Sequence, residues 1–215
     1  SEYEGSTHVH DLNLPIPEKY YGEYDVILDG GTLEHVFHFP NCLSNIHKML
    51  KPNGIIIHSS PSHNHVDHGF YMFSPTLFYD YYSANNYRIL KSNIFEYLPS
   101  HDKKPWIVYD YSRGCIDNLA YGGWGNKLLG IWFVCEKMAE STCTVIPQQS
   151  MYLGSWNLPL SSPVTSAISI RKNVKNRAKV FIMRHALLYK FAKFIQRRSL
   201  VTFFKRKRPA VVARY

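Results

Sequence analysis

The 215-residue chain is 45% apolar and 15% aromatic, enough to bury one sizeable core and to exclude wholesale disorder. Its formal charge of +9 is unevenly spread: residues 1–170 hold 10 Lys/Arg against all 16 Asp/Glu, whereas residues 171–215 hold 15 Lys/Arg and no acid. The basic balance therefore belongs to a tail on a mildly acidic body, and no apolar run reaches the roughly 18 residues of a membrane span.

In chain order, Tyr24 to Asp29 (YDVILD) is a run of β-formers halted by Gly30-Gly31, as a buried parallel strand ends in a loop. From Pro40, Leu43, Ile46, Met49 and Leu50 fall at helical spacing, and Lys51-Pro52-Asn53-Gly54 stops that helix. Ile55-Ile56-Ile57 opens a second buried strand, so strand, helix, turn and strand form a βαβ unit. A polar, His-rich loop runs to Gly69. Ser74 before Pro75 predicts the N-cap of a helix to about Asn85. Strands are expected from Arg88 to Phe95 and from Leu129 to Glu136. The aromatic stretch between them, 97–128, reads as an insertion or a lid. Residues 141–170, rich in Ser, Thr and Pro, read as a connector, and 171–215 as a basic helical tail. Cys42 and Cys135 sit in apolar runs, and no CxxC spacing occurs, which predicts reduced thiols in a cytoplasmic protein.

The ordered series YDVILD (24–29), GGTLEHV (30–36), LKPNG (50–54), GIIIHSS (54–60) and HGFYMFSP (68–75) resembles class I S-adenosylmethionine-dependent methyltransferases over roughly residues 8–96. Val9-His10-Asp11-Leu12 is similar to the family segment whose acid approaches the adenine. The resemblance implies an α/β fold with a Rossmann-like, mostly parallel sheet over residues 1–140, and S-adenosylmethionine as cofactor. It implies that Asp11 and the backbone of Leu12 lie on the adenine side, and Asp29, Gly30 and Gly31 near the methionine part. The family's Gly-x-Gly-x-Gly loop has no counterpart here, so the fold is expected to be N-terminally incomplete by roughly 40 to 80 residues, two βα units. His35 is the candidate general base, since a near-neutral imidazole can accept a hydroxyl proton. Some O-methylating members bind a divalent ion through a Glu-His pair and an acid one turn earlier. Gly31 stands at the place of that acid, so no metal is expected at Glu34-His35.

The reading that follows is methyl transfer to an oxygen of a small-molecule, glycan or lipid-linked acceptor. Two alternatives stay open. His63, His65, Asp67 and His68 fit H-x-H-x-D-H and resemble the signature of metallo-β-lactamase-fold hydrolases, whose ligands hold zinc. A chain without the glycine loop could also be a non-catalytic binding or scaffold module. Trp106, Tyr109, Tyr111, Tyr121 and Trp124 are candidates for a substrate-facing lid. The basic residues of 171–208 interleave with apolar ones, which favours an anionic membrane surface on the inner face over nucleic acid.

Overall fold

The computed structural model describes residues 5–98, 106–119, 123–150, 152 and 210–214. The βαβ unit forms where the pattern places it. Strand β1 (Tyr24–Asp29) leads through a 3₁₀ turn (Leu33–His35) into helix α1 (Phe39–Met49) and strand β2 (Leu50–Pro61), which pairs with β1 in parallel. Leu43 and Ile46, on one side of α1, are buried against Leu50 and Ile56. Asn53 adopts a left-handed φ of 63° in the LKPNG turn, a conformation that asparagine tolerates better than most side chains. A Cβ at Gly54 would stand 2.9 Å from the Lys51 carbonyl oxygen, so only glycine lets the turn close.

Helix α2 (Pro75–Ala84) starts at Ser74, whose side chain accepts from the Thr76 N–H, with Pro75 at the first helical position. Its Phe78 and Tyr82 pack with Phe133 and the β2 residue His58 beneath the helical layer. Strands β3 (Arg88–Tyr97), β4 (Ile107–Asp110), β5 (Leu128–Glu136) and β6 (Val211–Arg214) complete a six-stranded sheet of order β1-β2-β5-β3-β4-β6.

The sheet is mixed, not mostly parallel: β1/β2 is the one parallel pairing of the described strands, and the other four are antiparallel. The reason is topological. Strands β2 and β3 run the same way but do not touch, because β5 enters between them in the opposite direction.

The aromatic stretch contributes β4 to the sheet and fills a second core. Tyr109, Tyr111 and Trp124 are buried there with Ile94, Leu119 and Leu129, so these three rings are packing and not a substrate lid. Trp106 stacks on Phe95 at 5.2 Å, and Tyr121 lies outside the described residues. The tail expected to be helical to 215 ends instead as an edge strand at Val211–Arg214, where the β-branched Val211-Val212 favours extended backbone. The basic stretch before it, and most of the 141–170 connector, lie outside the described residues. No helix among the described residues is long and apolar enough to cross a membrane.

Candidate functional site

At the carboxyl end of β1 the chain turns at Gly30-Gly31, and Gly31 takes a φ of 87° that side chains rarely adopt. Nothing lies within 4 Å of a Cβ built at Gly30, so the backbone there is open to a ligand. The Asp29 carboxylate, by contrast, faces inward. Its Oδ1 accepts from the Thr32 and Leu33 N–H groups at 3.1 and 3.2 Å, holding the 3₁₀ turn. Its Oδ2 lies 2.8 Å from His58 Nδ1 and 3.2 Å from the Ser60 hydroxyl, which donates to it. With the proton on Nδ1, His58 Nε2 accepts from the Tyr82 hydroxyl at 2.7 Å. Burial alone would raise the Asp29 pKa, but the hydrogen bond with His58 and the two backbone donors outweigh it and leave the carboxyl below its ordinary value. Burial pushes the Tyr82 phenol far up, so it stays protonated and can donate.

Five residues further on, Glu34 is only 1% exposed, with His35 and His68, each about half exposed (48% and 51%), above it. The two imidazole Nε2 atoms lie 3.9 and 3.6 Å from Glu34 Oε1, and the rings stand 5.0 Å apart. Glu34 Oε2 is buried and has no hydrogen-bond partner among the described residues. Burial, with the Asp29 charge added, pushes the Glu34 carboxyl above its ordinary value against the pull of His35 and His68. His68 reaches this place because its loop is pinned: the Phe70 and Tyr71 N–H groups donate to the Glu34 carbonyl at 2.8 and 3.2 Å. Gly69 permits the approach, since a Cβ there would stand 2.8 Å from the same oxygen. Phe37 and Phe70, both exposed, meet edge to face at 5.7 Å on the same loop pair.

The segment before β1 lies along α1. Leu12 accepts through its carbonyl from Asn41 Nδ2 and the Cys42 thiol, and Asn45 secures Leu14 and Ile16. Asp11 is exposed and folds onto Asn13, and those donors lower its pKa. Asp11 and Leu12 line a cavity of about 620 Å³ with Val9, Tyr20 and Tyr24. Burial, with Asp29 and Asp11 nearby, raises the Cys42 thiol to about 11, so it is no nucleophile at neutral pH.

The four residues of the H-x-H-x-D-H signature do not converge. His65 Nε2 is 2.6 Å from the Tyr97 hydroxyl, and Asp67 sits exposed at a left-handed turn with φ 67°. Asn64 ties the loop to the start of β5 by donating to the Gly125 and Lys127 carbonyls. Among the described residues, the one group of three potential ligands within 4.8 Å of one another is Glu34, His35 and His68. The hydrolase alternative therefore finds no support. His58 and Tyr82 escaped the sequence reading; a histidine directly after the three isoleucines of GIIIHSS was the available signal.

A mixed α/β sheet with a glycine turn at the carboxyl end of a parallel strand is consistent with a Rossmann-like fold. Residues 6–106 match the family model of a methyltransferase domain, and that match supports the resemblance of this stretch to the class I S-adenosylmethionine-dependent methyltransferases. No curated protein matches the chain.

Proposed function

We propose that this domain transfers the methyl group of S-adenosylmethionine to an oxygen of a small-molecule, glycan or lipid-linked acceptor. The observation that carries the reading is the open Gly30-Gly31 turn inside the matched domain, with a half-exposed imidazole four residues beyond it. The backbone of Gly30-Gly31 faces the methionine portion, and Asp11 and Leu12 the adenine side. The Asp29 carboxylate, its oxygens engaged internally, holds that turn in place. S-adenosylmethionine supplies an electrophilic methyl on a sulfonium. His35 Nε2 takes the proton from the acceptor hydroxyl as the O–CH₃ bond forms and the C–S bond breaks, leaving S-adenosylhomocysteine and an imidazolium. The exposed Phe37–Phe70 pair offers an apolar edge for the body of the acceptor.

Calorimetric titration of S-adenosylhomocysteine into the intact gene product carrying this chain tests the reading. Saturable one-to-one binding, weakened by Gly31→Val, is expected; no binding overturns it. The basic stretch 171–208 is part of the same proposal as a contact for anionic lipid. Co-sedimentation with anionic but not neutral vesicles is the expected result.

A further inference from the structure

We propose that Glu34, His35 and His68 bind one divalent transition-metal ion of the zinc, manganese or cobalt type. The inference rests on geometry and does not need the methyl-transfer reading. Bonds of about 2.1 Å to a four-coordinate ion set its ligand atoms roughly 3.4 Å apart. The imidazole Nε2 atoms already stand 3.6 and 3.9 Å from Glu34 Oε1, so a small turn of two half-exposed rings closes the set.

A second observation points the same way. A buried carboxylate oxygen without a partner is costly, and Glu34 Oε2 is one. No Lys or Arg ion pair reaches the Glu34 carboxylate among the described residues; the ionisable groups beside it are His35 and His68, at its Oε1, and the acid Asp29. A cation between the three groups would compensate that charge. Two imidazoles and one carboxylate are the donor set of borderline transition metals, not of magnesium or calcium, which prefer oxygen throughout.

The supporting structure is of the kind that orients ligands. The Glu34 carbonyl holds the His68 loop through Phe70 and Tyr71, and Gly69 packs against His35 Nδ1, where a Cβ would come within 3.1 Å. His35 therefore presents Nε2 to the cluster. Glu34 would hold the ion from the buried side and the two half-exposed histidines from the solvent side. Nε2 is also the atom assigned to receive the acceptor proton. Ion and base are exclusive uses of His35, and in the loaded protein the ion would lower the pKa of a bound hydroxyl instead.

The experiment is titration of the untagged, chelator-stripped protein with Co²⁺, followed by visible absorption, and with Zn²⁺ and Mn²⁺ by calorimetry. One equivalent should bind, with the d–d bands of a nitrogen- and oxygen-ligated site. His68→Ala and His35→Ala should each weaken binding by roughly 100-fold or more, at least the loss typical of a disturbed outer-shell partner. Glu34→Gln should do the same. His63→Ala, on the same loop, should bind as the unaltered protein does. Absence of saturable binding, or an equal loss in His63→Ala and His68→Ala, overturns the site. S-adenosylhomocysteine titration without added metal reads the methyltransferase proposal separately: metal binding without it keeps the ion site and drops that proposal, and the reverse result does the opposite.

Discussion

Two acid-histidine groups lie on one edge of the sheet, and they are built in opposite ways. Around Asp29, both carboxylate oxygens, both nitrogens of His58 and the Tyr82 hydroxyl are engaged, and the three side chains are almost wholly buried. Around Glu34, one oxygen is unpartnered and both histidines reach solvent. A polar group that is buried and satisfied holds a fold together; one that is buried and unsatisfied is retained against its own cost. The first group is a brace and the second a site.

The sharpest way to break the comparison is to delete one histidine from each. His58→Ala strips the buried Asp29 carboxylate of its histidine partner and leaves the Tyr82 hydroxyl unpaired beside a cavity, and should cost about 3–5 kcal/mol in urea unfolding. His68→Ala, half exposed, should stay within about 0.5 kcal/mol of the unaltered protein. Equal losses would erase the distinction. A smaller effect comes from the shared hinge: Gly69→Ala pushes a methyl group against the Glu34 carbonyl and should destabilise by about 1–3 kcal/mol while displacing His68. The same urea curves, read beside Co²⁺ absorption, check both outcomes.

The acids make a subtler pair. Asp29→Asn should cost about 1–3 kcal/mol, because an amide can no longer accept from every donor now facing the carboxylate. Glu34→Gln removes a buried charge without that support, and the unfolding midpoint should stay unchanged or rise, at the expense of function.

His47 sharpens the contrast from a third position. Burial, with Lys137 and Lys48 nearby, lowers its pKa from 6.5 to about 4, and its Nδ1 lies 2.7 Å from the Tyr87 hydroxyl. The unfolded chain protonates this ring near 6.5 while the folded one resists until about 4. Unfolding therefore takes up a proton across that window, and stability falls as pH drops through it. Allowing for its partial exposure, the His47 contribution should be at most about 2 kcal/mol. His47→Gln should flatten the pH dependence of the urea midpoint between 6.5 and 4.

Much of the scaffold could be read directly because its signals are local. YDVILD closed by Gly-Gly, the spacing of Leu43 and Ile46, and Ser74-Pro75 each specify an element within a dozen residues. The rest depends on long-range pairing. Nothing in LGIWFVCE says that it enters between β2 and β3, and four residues at 211–214 are too few to show periodicity before their β4 partner is known. The candidate site divides the same way. Gly30, Gly31 and His35 follow the strand that announces them, whereas His68 reaches Glu34 only through backbone bonds made 36 residues apart. The H-x-H-x-D-H run misled because residues adjacent in sequence, in a loop with left-handed turns at Asn64 and Asp67, point to different places.

The slot filled by β5 also constrains how the domain assembles. Strands β2 and β3 emerge early yet have no direct ladder to each other, and about thirty residues follow β3 before the strand that joins them is made. Contacts of such sequence separation raise the loop-closure cost of the folding nucleus and slow its formation. During synthesis, the inner edges of β2 and β3 therefore stand unpaired until Leu128–Glu136 has left the ribosome, and that interval is when the growing chain is most open to chaperones and to aggregation.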